Sequence, residues 1–345
     1  MNITDIESYK QDISSVLSNN FPWQLLDGKN ILVTGATGLL CSFLVDVLMA
    51  KEDKKYQIWI CGRNVENAKK RFFRFWEQPA FHFLNQDLTE EIASDAHFNY
   101  IIHGAGLSFP AAFSSNPVST IRTTVLGTDN LLKYGLTHEL ERMVYVSSGE
   151  VYGDGEQKAW KEHDSGYVDS LTPRSCYPTS KRTAENLCCC YFSQYGTDVV
   201  IVRPSHIYGP TFTPSDNRAY AQFIRNAAQG QDIVLKSDGS QKRGYCYVAD
   251  CVSAILFALF YGKSGQAYNI SDEKNYISVR ELAEITAKAG NVKVIFHEPE
   301  SIEKKGYSSL MSTCLDNSNM KALGWNAKVP LIDGIAKTLE IFKKL

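Results

Sequence analysis

Nowhere in its 345 residues does the sequence run apolar for the roughly 20 positions that a membrane-spanning helix needs; the longest stretch, Val252–Tyr261, falls well short. The N-terminus lacks a basic region followed by an apolar run, so no secretory leader is expected and the cytoplasm is the expected location. An excess of one charge is missing too. With 36 Lys+Arg against 38 Asp+Glu, the net charge of −2 gives neither nucleic acid nor an anionic membrane a reason to bind. The nine cysteines include no CxxC pair, and no HExxH or His/Cys grouping at zinc spacing occurs. No metal is therefore expected, and the thiols are read as reduced and packed. Repeats, low-complexity tracts and long linkers are absent as well. What is there, 44% hydrophobic and 21% charged residues, is the composition of an ordinary globular protein with room for two domains.

Short apolar runs alternate with helical periodicity. Lys29–Gly35, Gln57–Cys61, His82–Leu84, Tyr100–His103, Met143–Ser147 and Val199–Arg203 read as buried strands, with Leu39–Ala50 and Val118–Tyr134 as helices between them. That alternation predicts an α/β fold, a Rossmann-type doubly wound parallel sheet over residues 29–204. Ahead of it, Ile3, Ile6, Tyr9, Ile13 and Leu17 recur at helical spacing. They predict a helical extension over 1–28 lying on the domain surface, with a dimer contact as the other reading. Beyond residue 204 the rhythm loosens. A smaller α/β domain is expected over 205–345, interleaved with the first, with a helix at Ser278–Ala289, a strand near Lys293–Phe296 and a final helix from Leu331.

The first strand runs into Gly35-Ala36-Thr37-Gly38-Leu39-Leu40 at the start of the first helix. Glycines there let the backbone turn sharply and approach a pyrophosphate, and the helix N-terminus offers that anion free N–H groups. Cys41 stands where a third glycine would sit, which predicts helix and strand set slightly apart. The second strand should end in the residue that selects the cofactor. A carboxylate would favour NAD, but the sequence has Arg63-Asn64, and an arginine suits the 2′-phosphate of NADP or stacking on adenine. The choice between NAD and NADP stays open. Asp87-Leu88 after the third strand fits a group that reads the adenine amine, or a simple turn.

Tyr177 and Lys181 are four residues apart and share a helical face. An ammonium beside a phenol lowers its pKa and makes it a usable base. Ser148 and Glu150 follow the fifth strand, at the end of a parallel sheet where ligands bind.

These residues, with TGATGLL at 34–40, HGAG at 103–106, SSGEVYG at 147–153, YPTSK at 177–181, RPSHIYGP at 203–210 and KRGYCYVAD at 242–250, resemble the extended short-chain dehydrogenase/reductases. The similarity is to their NAD-dependent epimerase/dehydratase branch, which modifies nucleotide sugars. The resemblance implies that Tyr177 takes a proton from a sugar hydroxyl, usually at C4. Ser148 would hold the same oxygen, Lys181 would bind the nicotinamide ribose, and Gly104 and Ala105 would line the cofactor. It further implies a nucleotide-diphosphate sugar as substrate, Arg243 and Arg218 as its phosphate anchors, and a homodimer.

Glu150 before VYG resembles dehydratases and uronate decarboxylases rather than retaining epimerases, and a carboxylate there could move a proton at C5. Gly149 stands where many dehydratases carry an aspartate. Pro173-Arg174-Ser175-Cys176-Tyr177 with Lys181-Arg182, and Asp216-Asn217-Arg218, are locally most similar to UDP-glucuronate decarboxylases. Arg174 would then meet a substrate carboxylate, or form a loop salt bridge. His206 stands where a substrate-contacting asparagine is common, as part of a reshaped sugar pocket or as a buried hydrogen-bonded residue, and Thr124 replaces another family asparagine. The leading expectation is 4-oxidation followed by decarboxylation or dehydration with the cofactor recycled. A 4-epimerase, an NADPH-dependent keto-sugar reductase and a non-catalytic dinucleotide-binding protein are the alternatives.

Overall fold

The computed structural model describes residues 2–297 and 312–345, so 298–311 of the expected second block lie outside the described residues. Six buried runs form strands β1 (Asn30–Thr34), β2 (Gln57–Gly62), β3 (Phe81–Asn85), β4 (Tyr100–His103), β5 (Arg142–Val146) and β6 (Val199–Pro204). The chain then leaves this sheet. It forms β7 (His206–Tyr208), β8 (Ile233–Leu235) and β9 (Lys242–Tyr247), and returns to add β10 (Ala267–Ile270) beside β6. The larger sheet is parallel with order β10-β6-β5-β4-β1-β2-β3. Helices on both faces bury it, which is why its strands are apolar almost throughout.

The order reverses between β1 and β4, whose last residues Thr34 and His103 are paired. Ligands bind beyond the carboxyl ends of strands at such a reversal. The imidazole of His103 ties the point together, bonding Thr34 Oγ1 at 2.7 Å and Thr128 Oγ1 at 3.1 Å. Burial pushes its pKa down to about 3, so it stays neutral.

Of the helices, α1 (Glu7–Leu17), α2 (Leu39–Ala50), α3 (Val65–Arg71), α4 (Pro110–Ser115), α5 (Pro117–Thr137), α6 (Cys176–Tyr195), α7 (Ala219–Ala228), α8 (Val248–Tyr261) and α9 (Val279–Gly290) concern the site or its support. The N-terminal segment is built into the body of the protein. Tyr9 is fully buried and donates to Asp46 on α2, which also pairs with Arg71. Asp12 accepts from Tyr247 at 2.6 Å and from Lys337 at 2.7 Å, joining α1 to β9 and the C-terminal helix Leu331–Lys344.

A second sheet centres on β9, with β7 and Ser312–Thr313 parallel to it and Tyr276–Ser278 antiparallel. Arg203 at the end of β6 ties that strand to α6 and to the loop that follows β5. It forms a fork with Glu185 on α6 at 2.6 and 2.9 Å and donates to Tyr152 and to the Glu162 carbonyl. Among the described residues no helix is long and apolar enough to cross a membrane. The nine cysteines are free; Cys189 and Cys190 are exposed on α6 rather than packed, because successive helical residues cannot share the one buried face that Cys188 occupies.

Candidate active site

A cleft of about 800 Å³ opens where the two sheets meet, at the reversal point. Its floor is made of turns without side chains. Gly35 has φ +68°, and a Cβ there would lie 2.6 Å from the Gly104 carbonyl oxygen. Gly38 starts α2 with no side-chain cap, and Leu39, Leu40 and Cys41 line the cleft, so the first-turn N–H groups remain for a ligand. Cys41 finds its room at Gly104, where a Cβ would overlap the Cys41 sulfur. The missing third glycine is thus matched by a glycine on the neighbouring strand end. Gly104→Ala is expected to lower stability by about 1–3 kcal/mol through overpacking. Thermal unfolding of Gly104→Ala with and without Cys41→Gly checks this; equal losses in both backgrounds would clear the thiol of blame.

Tyr177 sits in the first turn of α6 and Lys181 one turn on, and both line the cleft. Lys181 Nζ donates to the Val146 carbonyl at 2.7 Å and lies 6.0 Å from the Tyr177 ring centroid. Burial pulls the Lys181 pKa down to about 8, against the opposing charge of Glu185. Tyr177 stacks on Phe113 at 4.6 Å with 21° between the rings. Its pKa is not lowered, as the spacing predicts, but pushed up to about 12. Burial is the first cause and the Glu150 charge the second; the Ser148 hydroxyl, Arg218 and Arg174 oppose them only in part. The four-residue spacing is as read, yet burial sets the direction of the shift.

Ser148 and Glu150 come from the short turn after β5, where Ser148 Oγ accepts from the Glu150 N–H at 3.2 Å. Glu150 faces Arg174 at 3.0 Å, and the Arg174 guanidinium lies 4.7 Å above the Phe113 ring. Arg174 therefore forms a salt bridge, though with a catalytic candidate rather than with a loop. Gly149 is closely faced by Leu315: a Cβ there would meet Leu315 Cδ1 at 3.2 Å, a tight contact.

The second block supplies the opposite wall. Arg218 is held by Asp216 at 2.5 Å and lies 5.1 Å from the Tyr220 ring centroid. Arg243 is buried on β9, donating to the Lys242 carbonyl at 2.9 Å and to Gln241 at 3.3 Å. His206 on β7 crosses edge-on to Tyr245, and burial, then Arg243 and Arg218, push its pKa down to about 3. Its Nδ1 is buried without a partner among the described residues, as are Ser147 Oγ, Ser205 Oγ and Arg174 Nε on the same walls. Thr124 Oγ1 is another such atom, under Gly106.

Most of the remaining expected residues stand outside this cleft. Thr37 lines it, but Arg63, Asn64, Asp87, Leu88 and Ala105 do not. Arg63 pairs with Asp87 at 3.4 Å past the ends of β2 and β3, the strands next to β1. Asn64 caps α3, accepting from the Asn67 N–H, while Leu88 and Ala105 are packed into the core. Asp87 thus offsets part of the charge that Arg63 would offer a 2′-phosphate. Phe113 and Leu315 went unread because neither lies in a motif. Phe113 arrives from α4, and Leu315 is brought in by a bridge to Trp160.

The floor and helix end fit a dinucleotide: a pyrophosphate needs close backbone approach and free N–H groups, and both are present. Comparison with known proteins agrees. The model of the NAD dependent epimerase/dehydratase family matches residues 31–271. UDP-glucuronic acid decarboxylase 6 of Arabidopsis thaliana is 32% identical over 91% of this chain and 88% of its own length. UDP-glucuronic acid decarboxylase 1 of Xenopus tropicalis is 29% identical over 92% and 73%. Among solved structures, UDP-glucose 4-epimerase of Thermotoga maritima with UDP-glucose has a TM-score of 0.78 at 24% identity, covering 91% of this chain and 99% of that one.

Proposed function

The chain belongs to the NAD dependent epimerase/dehydratase family, and we propose that it oxidises the C4 hydroxyl of a UDP-linked hexuronate and then releases its carboxylate as carbon dioxide. Residues 29–204 would hold NAD, with its pyrophosphate on Gly35, Gly38 and the start of α2, and 205–345 the nucleotide sugar, with its phosphates between Arg218 and Arg243. When bound, the dinucleotide supplies a reversible hydride acceptor, so oxidation and later reduction of the sugar leave it unchanged overall.

Tyr177, as phenolate, accepts the proton of the C4 hydroxyl and returns it at the end. Ser148 donates a hydrogen bond to the same oxygen, and the Lys181 ammonium favours the charge developing there. A 4-keto uronate is a β-keto acid: its C5–C6 bond breaks, the electron pair passes to the C4 oxygen as an enolate, and carbon dioxide leaves. Ser148 stabilises that oxygen, and Glu150, once protonated, delivers the proton that C5 needs. The overall change consumes one proton and releases one carbon dioxide.

The observation that carries the uronate reading is Arg174, a cation on the cleft wall beside both Glu150 and Tyr177. Gly149, closely faced by Leu315, weighs against dehydration, since it brings no acid to that position. Exposed Val118 and Ile121 on α5, with Phe192 and Tyr195 on α6, support a homodimer through these adjacent helices. The mostly buried free thiols support a reducing compartment, the cytoplasm.

Incubation with UDP-glucuronate and a trace of NAD tests the reading. The expected result is carbon dioxide in step with a UDP-pentose, without net NADH. Loss of water, an isomer of unchanged mass, or stoichiometric use of NADPH would replace it with dehydration, epimerisation or reduction.

A further inference from the structure

Arg174 is not fully used by its partner. A single nitrogen, Nη2, spans both oxygens of Glu150, at 3.1 Å to Oε1 and 3.0 Å to Oε2. Its Nε is buried and has no hydrogen-bond partner among the described residues. A guanidinium presents its strongest face to a carboxylate as a two-nitrogen fork, and a buried donor without an acceptor is costly. Both side chains are only about a quarter exposed, at 21% and 24%, so the pair is weakly screened. The Phe113 ring beneath the guanidinium also carries Tyr177, which places this pair against the proposed base.

We propose that Arg174 is a shared cation, held by Glu150 until a sugar carboxylate takes Glu150's place. This rests on the uronate reading above. The incoming carboxylate gains the fork of Nε and Nη2, and the orphan donor is satisfied. Glu150 gives up one nitrogen and turns to the sugar, where its proton transfer is needed. A neutral hexose has no group to make this exchange, so it leaves Glu150 tied to Arg174. Selection for a uronate and release of Glu150 are then one event, with no bond formed or broken in the exchange itself.

The two carboxylates compete for one cation, so removing the protein's own should strengthen the other. Calorimetric binding of UDP-glucuronate and UDP-glucose, with NAD present, reads this in a Tyr177→Phe background that blocks turnover. UDP-glucuronate is expected to bind about tenfold tighter than UDP-glucose, in line with a charged fork. Adding Glu150→Gln should tighten UDP-glucuronate several-fold and leave UDP-glucose unchanged. Arg174→Met should erase the preference, and Arg174→Lys, a point charge without a fork, should restore only part of it. Weaker uronate binding in Glu150→Gln, or equal changes for both sugars, would overturn the exchange while leaving a nucleotide-sugar enzyme in place. Failure of either UDP-sugar to bind would strike the proposed function itself, and the exchange with it.

Discussion

Tyr177→Phe is expected to lower kcat by about three orders of magnitude, the usual worth of a positioned acid–base group. The fold should survive. The phenylalanine ring keeps the stack on Phe113, and among the described residues the lost hydroxyl gives up a hydrogen bond with Ser148. Steady-state turnover, with NAD binding and circular dichroism as controls, decides the matter. Turnover within tenfold of the parent would mean that another group takes the proton. The structure adds a demand on the base. With burial and Glu150 holding its pKa at about 12, Tyr177 is protonated near neutrality, so it works as a base only once further positive charge adjoins it. Oxidised NAD brings such a charge. The pH profile of the first oxidation should therefore rise at lower pH in Glu150→Gln than in the parent.

Lys181→Met should abolish activity and, unusually for a buried residue, stabilise the protein near neutral pH. A lysine titrates near 10.5 when unfolded, but burial lowers Lys181 to about 8. Below pH 8 it is charged in both states and the cost of burying that charge is present in full. The cost fades as pH rises from about 8 to 10.5, where the folded form has already released its proton. At pH 7 its removal relieves about 3 kcal/mol. Part is lost again, because the Val146 carbonyl loses its donor, at about 1–3 kcal/mol. Thermal unfolding should show a Tm no lower than the parent's at pH 7 and a difference that moves against the variant towards pH 10. The opposite trend would mean that the ammonium is a net stabilising element of the fold.

The strands from β1 to β6 were legible because each is an apolar run bounded by turn residues, and a parallel sheet covered on both faces demands such runs. The seventh strand was not. Ala267–Ile270 is four residues long, and only its pairing with β6 makes it a strand. The same divide separates the parts of the site. The glycine turn and the Tyr177–Lys181 spacing are local patterns, so they can be read directly. The fate of Tyr177's proton depends on Phe113 and Glu150, and that of Arg174 on which carboxylate reaches it. Both partnerships are set by tertiary packing. His206 shows what a single position withholds: it lies on the cleft wall, but its neutrality comes from burial and two arginines on other elements.

The late return of β10 to the larger sheet has a practical consequence for anyone cutting the chain. A fragment ending near residue 204 contains the whole dinucleotide motif, yet it is not a module. It would display the backbone of β6 as a raw edge and strip away α8, whose buried face covers that side of the sheet. Such an edge invites intermolecular strand pairing. The two blocks are stitched by the thread itself, so they must be expressed as a single piece of cloth.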